Sequence, residues 1–331
     1  MRPNAPVSLV FPGTLLLVSA CGGDPIVPEP TTIAISPASE TLQALDETVQ
    51  LSVTVQDQDG RTMAGVTVTW ASGDESVATV DPDGLVTAVA NGVVPVYAAI
   101  GTTVRGGALI KVELDRGVLL ELYEAMGGAD WNSSRNWGTD APLGTWYGVR
   151  GGGYVSGLAL RRNGLAGSIP PEMADLELLD LMALEGNAIA GPIPAEIGNL
   201  ARLQIVAVSD NRLSGSIPPE FGNLESLVHL EAANNQLTGP IPSELGDLER
   251  LHHLDLSDNP LIGPVPPELG DLGQLRILRL NDTLMSGQLP LELIGLPLRV
   301  FTWDGTDLCA PDDEEFQEWL ESIPTTSGPN C

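Results

Sequence analysis

Apolar residues follow three rhythms along this chain, and each predicts a different kind of element. In residues 49–55 (VQLSVTV) and 66–70 (VTVTW) apolar and polar side chains alternate, the period-two signature of half-buried strands. Turn signals separate such runs at Asp57-Gln58-Asp59-Gly60, Asp81-Pro82-Asp83-Gly84 and Asn91-Gly92. Short strands at this spacing, with Trp70 as the candidate buried tryptophan, predict a β-sandwich of about 80 residues. The rhythm then turns helical. Asp115 is a good N-cap, Val118, Leu119, Leu122 and Met126 share one face, and Gly127-Gly128 stops the run.

The third rhythm is much longer. Asn163, Asn187, Asn211, Asn235 and Asn259 recur every 24 residues inside one frame, L-x-x-L-x-L-x-x-N-x-L-x-G-x-I-P-x-E-x-G-x-L, nearly complete in residues 203–224 and 227–248. A fixed period of this length means stacked units, none able to bury its apolar face alone. Units begin at Val155, Leu179, Leu203, Leu227, Leu251, Leu275 and Leu298. Leucines at positions 1, 4, 6 and 11 are expected inside. The asparagine at position 9 is expected to turn inward and satisfy backbone groups of neighbouring turns. Thr283 and Thr306 replace it in the last two units, a weakening expected beside a terminal cap.

The stack needs covers at both ends. Trp131, Trp137, Trp146 and Tyr147 form an aromatic cluster ahead of the repeats, read as a cap rather than a sugar platform. Trp303, Leu308, Phe316, Trp319 and Leu320 belong to a short helix over residues 312–322 and its approach, read as the other cap.

Charge removes one class of partner. With 44 acidic residues against 15 basic ones, the net charge is -29, and such a field repels phosphate backbones. Nucleic acid is therefore excluded, and the spread-out acidity is read as a solubility device. Arg2 followed by a short apolar run over residues 7–20 reads as an export signal, too short to span a bilayer. In an exported protein the pair Cys309 and Cys331 reads as one disulfide.

Four resemblances sharpen this picture. Val18-Ser19-Ala20-Cys21-Gly22 resembles the lipobox of bacterial lipoproteins, which implies cleavage before Cys21 and its lipidation. The segments I-x-P-A-S-x-T-L from Ile35, VTVTW-A-S-x-D-x-S-V-A-T-V from Val66 and G-L-V-T-A-V-A-N-G from Gly84 resemble a group 2 bacterial immunoglobulin-like domain. That implies a stalk or adhesin module without chemistry. D-R-x-x-L-x-x-L-Y-E-A-M-G-G-x-x-W resembles the N-terminal cap of plant-like leucine-rich repeat proteins. The frame with Gly-x-Ile-Pro, as in Gly215-Ser216-Ile217-Pro218, resembles the plant-specific repeat class, which implies a second short strand in each unit.

The expected organisation is therefore multidomain: an Ig-like β-sandwich followed by an α/β leucine-rich repeat solenoid with helical caps. Its parts are a lipoprotein signal peptide (1–20), a Pro-rich linker (21–32), the Ig-like domain (33–113), an N-terminal cap (114–154), the repeats (155–308) and a C-terminal cap (309–331).

Alternation on each repeat strand turns positions 3, 5 and 7 outward onto a concave face. Its early part is aliphatic, with Leu181, Ala183, Ile205 and Ala207, expected as an exposed contact patch. Its middle carries His229, Glu231, His253, Asp255 and Arg279, while His252 at position 2 points elsewhere. Two imidazoles beside two carboxylates could hold a divalent metal or respond to pH. The reading adopted is ordinary polar surface, with no metal and no cofactor. No Ser/His/Asp or Cys/His arrangement, phosphate-cradling loop or HExxH occurs, and Gly151-Gly152-Gly153 lacks the flanking elements of a nucleotide site. The chain is thus expected to be a non-enzymatic, lipid-anchored protein of the cell envelope, at the outer membrane or cell surface. It would recognise a protein or peptide through Leu181, Ile205, His229, Glu231, His253, Asp255 and Arg279. The alternatives are a glycan ligand or a passive structural or adhesive envelope role.

Overall fold

The computed structural model describes residues 27–152 and 154–331; the signal segment, Cys21 and Gly153 lie outside the described residues. The chain divides into two compact units between Gly117 and Val118.

The first unit is built from three short sheets. Pro30–Ser36, Ser52–Asp57 and Thr62–Met63 form one; Ser39–Leu42, Val104–Val112, Gly92–Ile100 and Thr69–Ser72 form another; Thr48–Gln50, Leu85–Ala88 and Ala78–Val80 form the third. Leu42, Leu51, Val86, Val94, Val96, Ile110 and Val112 are among its buried core residues. The expected strand over residues 49–55 is in fact two strands. At Leu51 the chain passes from one sheet to another, with its N–H bonded to the Gly84 carbonyl at 2.9 Å, a sheet-switching corner of the kind sandwiches use. Residues 66–68 lie outside any strand, and pairing begins only at Thr69. Trp70 is half-buried rather than buried. Its ring lies over Gly84, where φ is +84° and an added Cβ would sit 2.7 Å from the indole. The first strand starts at Pro30, inside the segment expected to be linker.

Helix α1, Leu114–Ala125, begins two residues earlier than an Asp115 cap would place it. Asp115 therefore lies in its first turn instead of capping it, and its carboxylate accepts a hydrogen bond from Asn91 Nδ2 at 2.6 Å. No helix among the described residues is long and apolar enough to cross a membrane.

The second unit is dominated by one nine-stranded sheet. Its seven repeat strands run parallel, from Val155–Ala159 through Leu181–Ala183, Ile205–Ala207, His229–Glu231, His253–Asp255 and Ile277–Arg279 to Val300–Thr302. Two further strands extend it beyond the seven expected: antiparallel Val149–Gly151 at the start and parallel Thr325–Ser327 at the end. Position 4 (Leu158, Met182, Val206, Leu230, Leu254, Leu278, Phe301) points into the core throughout. A second row of short parallel strands follows, including Ala188–Gly191, Arg212–Gly215 and Gln236–Leu237. Each repeat then closes through a 3-10 turn such as Pro219–Asn223.

The asparagines form the expected ladder. Asn187, Asn211, Asn235 and Asn259 each donate Nδ2 to a carbonyl three residues back and to one in the preceding unit. Each Oδ1 accepts a backbone N–H of the preceding unit, those of Leu165, Ile189, Leu213 and Leu237. Position 8 is left-handed, with φ of 57°, 52°, 54° and 56° at Asp210, Asn234, Asp258 and Asp282. Asp and Asn stand there because they tolerate that conformation.

Both ends are sealed. Trp131, Trp137 and Trp146 are buried, and their indole N–H groups donate to Met126, Tyr147 and Ala141 carbonyls at 2.8, 2.8 and 3.0 Å. These side chains are enclosed, as a cap requires. At the other end helix α2, Glu314–Glu321, is slightly shorter than the expected 312–322, with Asp313 capping it through Phe316 N at 2.9 Å. Cys309 and Cys331 form a disulfide that ties this cap across the last repeat.

Candidate functional site

Strand register fixes what the outer face of the large sheet displays. Position 3 forms one row, Gly157, Leu181, Ile205, His229, His253, Ile277 and Val300, each residue directly opposite the next. Position 5 forms a second row, Ala159, Ala183, Ala207, Glu231, Asp255, Arg279 and Thr302. With parallel strands about 4.8 Å apart, aliphatic Ile205 is the immediate neighbour of His229.

The aliphatic part differs from expectation. Leu181 and Ile205 are half-buried, while Ala183 and Ala207 are buried outright. An alanine methyl barely rises above the sheet, so the longer side chains around it exclude water. The two alanines are floor, and Leu181 and Ile205 alone offer apolar contact.

The polar part is a connected group. Glu231 accepts from His253 Nδ1 at 3.2 Å and from His229 Nδ1 at 3.5 Å. The His253 hydrogen bond outweighs partial burial and, with the charge of both imidazoles, holds the Glu231 carboxyl below the usual carboxylate range. Asp255 accepts from Arg279 at 3.0 Å and from Ser257 Oγ at 2.6 Å. The Arg279 guanidinium also lies 3.4 Å from His253 Nε2, and Asp255 is 4.0 Å from that nitrogen. His229 is 41% exposed at its side chain and His253 only 16%, so the group runs from an open imidazole to an enclosed one. One oxygen of Glu231 and one nitrogen of each histidine lie within 4.8 Å of one another. His252 stays outside this group.

Sequence reasoning missed the residues that fix these side chains. Ser257 at position 7 grips Asp255; elsewhere on the same face Arg161 pairs with Glu185, and Thr302 donates to Asn281 at 2.8 Å. The D-x-S spacing of Asp255 and Ser257, which puts both on one strand face, was the available signal.

Comparison with known proteins agrees with this architecture. The family model for the bacterial Ig-like domain (group 2) matches residues 30–110, and that for the Leucine Rich Repeat matches residues 202–224, 226–248 and 250–272. No curated protein matches the chain. Among solved structures, the leucine-rich repeat ectodomain of the membrane receptor kinase GASSHO1/SCHENGEN3 from Arabidopsis thaliana, in complex with CASPARIAN STRIP INTEGRITY FACTOR 2, is 30% identical with a TM-score of 0.57; the match covers 64% of this chain and 26% of that one. PEPR1-AtPEP1 is 26% identical with a TM-score of 0.58, over 65% of this chain and 31% of the other. Pollen Receptor Kinase 3 is 28% identical with a TM-score of 0.51, over 60% and 97%. The chain thus spans a third or less of the first two relatives. It carries a group 2 bacterial Ig-like domain followed by a leucine-rich repeat solenoid.

Proposed function

We propose that this is a binding protein that recognises a protein or peptide along the position 3 and position 5 rows of its repeat sheet. The observation that carries the reading is one continuous surface in which Leu181 and Ile205 adjoin the His229, Glu231, His253, Asp255 and Arg279 group in register. Apolar anchors beside oriented charges are what a polypeptide surface needs for affinity and for direction. Two relatives above 25% identity, the GASSHO1/SCHENGEN3 ectodomain and PEPR1, were solved together with a partner, which supports the same use of the fold. The enclosed cap tryptophans leave no stacking platform there for a sugar.

On this reading the chain is exported, anchored through lipid on Cys21 in the cell envelope, and the Ig-like domain spaces the repeats from the membrane. Its role on this reading is recognition, which the half-exposed His229, Leu181 and Ile205 of this face support.

The experiment is affinity capture with the full-length protein against secreted and surface extracts of the source organism, alongside Leu181→Asp and Arg279→Glu. Each substitution is expected to weaken capture at least tenfold while the protein stays folded by circular dichroism, because neither side chain points into the core. Arg279→Glu, which sets a like charge opposite Asp255, lowers the unfolding temperature without abolishing the fold. Equal capture by wild type and both variants would place the contact surface elsewhere. Specific capture of nothing would favour a passive structural role.

A further inference from the structure

We propose that His229, Glu231 and His253 form a binding site for one divalent transition-metal ion, zinc by preference, bridging two adjacent strands of the repeat sheet. Three observations carry this.

The first is convergence. His229 and Glu231 lie two residues apart on one strand, so their side chains share a face, and His253 stands directly opposite His229 on the next strand. Both imidazoles aim Nδ1 at the same carboxylate oxygen, at 3.5 and 3.2 Å. In a tetrahedral zinc site with metal–donor bonds of about 2.0–2.1 Å, neighbouring donor atoms stand about 3.3 Å apart. These two edges already have that length. The rings meet edge to face, with centroids 5.6 Å apart at 65°, so they do not stack over each other and block the approach.

The second is donor chemistry. Two imidazoles and one carboxylate suit zinc, copper or nickel, whereas calcium and magnesium take oxygen donors. Within this group the two carboxylates of Glu231 and Asp255 meet the single guanidinium of Arg279, so the group carries a net negative charge while the histidines are neutral.

The third is the support behind His253. Its Nε2 lies 4.0 Å from Asp255, a carboxylate fixed by Ser257 and Arg279. A metal on Nδ1 places the ring proton on Nε2, so the Arg279 guanidinium, 3.4 Å from that nitrogen, must turn aside for the Asp255 carboxylate to close in and accept it. A carboxylate behind a ligating histidine orients the ring and raises its basicity. His229 and Glu231 are partly exposed, which leaves room beside them for water or a coordinating group of a bound partner to complete the coordination.

The site stands independently of the polypeptide-binding reading. The test is calorimetric titration of EDTA-stripped, full-length protein with zinc chloride in the presence of millimolar magnesium. Saturable binding of one zinc per chain is expected for wild type and for His252→Gln, with at least a tenfold loss in His253→Gln and in Glu231→Gln. Because His252 lies outside the group, it controls for scattered histidine and carboxylate binding. A second measurement on wild type alone, the ring-proton NMR signals, is expected to show His229 and His253 moving on zinc addition and His252 unmoved. Absence of stoichiometric binding by wild type, or undiminished binding by both His253→Gln and Glu231→Gln, overturns the proposal.

Discussion

Truncating Asn235 to alanine tests the central element of the solenoid, the asparagine ladder. Its side chain is buried and holds four hydrogen bonds: Nδ2 donates to Val208, Ala232 and Ala233 carbonyls at 3.0, 3.2 and 3.2 Å, and Oδ1 accepts from Leu213 N at 2.9 Å. The losses are unequal. The Val208 carbonyl still receives Asn211 Nδ2 at 3.0 Å, and the Ala232 carbonyl still receives Asn259 Nδ2 at 2.9 Å. The Leu213 N–H loses the acceptor that the ladder supplies. The Ala233 carbonyl keeps Asp210 N at 2.9 Å. A buried donor left unpaired costs about 1–3 kcal/mol, and the three thinned carbonyls add less than one lost bond each. The expected destabilisation is therefore roughly 2–4 kcal/mol.

Asn235→Thr separates these contributions. At the natural threonine position Thr283, Oγ1 donates to Leu280 O at 3.0 Å and approaches its own Met285 N at 3.5 Å. A threonine thus serves its own loop and does not reach the preceding unit. Asn235→Thr should recover the carbonyl bond and still strand Leu213 N–H, keeping most of the loss. Urea unfolding followed by tryptophan fluorescence measures the total, and hydrogen exchange at Leu213 isolates the stranded amide. Exposed Asn223→Ala is the control, expected within about 0.5 kcal/mol of wild type. If Asn235→Ala is no more destabilising than Asn223→Ala, the ladder does not hold neighbouring units together and this account is refuted.

Three further perturbations probe other parts of the fold. Replacing Cys309 and Cys331 by serine opens a loop of sequence separation 22, worth about 3 kcal/mol of closure entropy, and hydrogen exchange should rise in α2 and in Thr325–Ser327 before the central repeats change. Gly222→Ala would place a methyl 2.5 Å from the Glu244 carbonyl of the next unit, so it should cost about 1–3 kcal/mol by denaturant unfolding, whereas Gly273→Ala, which meets nothing within 4 Å, should be nearly silent. Glu113 is buried, which pushes its carboxyl up, but hydrogen bonds from Lys111 and Arg116 and their charges outweigh this and hold it below the ordinary range. A depressed folded value means its stabilisation is present above the unfolded value near 4.5 and lost as pH falls through the folded one. Glu113→Gln should accordingly flatten the acid limb of the stability profile, and an unchanged limb would show that the Lys111 and Arg116 contacts add nothing.

The solenoid was legible because each frame position meets the same surroundings in every unit. Leu203, Leu227 and Leu251 face one interior, so 24-residue spacing alone assigns them. What the sequence concealed lacks such repetition. Thr325–Ser327 and Val149–Gly151 are edge strands with a single neighbour each, and neither carries the frame. The break at Leu51 was invisible because alternation continues through it while the pairing partner changes. Burial of Ala183 and Ala207 depends on the height of side chains on adjacent strands, which no single strand records. In the same way, positions 3 and 5 could be assigned to a face, but the grip of Arg279 on Asp255, alongside that of Ser257, emerges only once two neighbouring strands are side by side.

That grip bears on how such a face can act. An outward charged side chain is normally mobile, and a partner that fixes it must overcome its rotamer entropy, about 0.5–1.5 kcal/mol for each flexible chain immobilised. Here Asp255 is held by Ser257 and Arg279, and Glu231 is held by two imidazoles, before any partner arrives. Leu181 and Ile205 are flanked by their own row and half-buried already. Most of the ordering cost has therefore been met by intramolecular contacts, and association need supply only complementary groups. The frame makes this arrangement adjustable: position 4 and the asparagine carry the stack, so positions 3 and 5 can change without disturbing it. On the proposed reading, the division of labour within each 24-residue unit leaves ligand choice to those two rows.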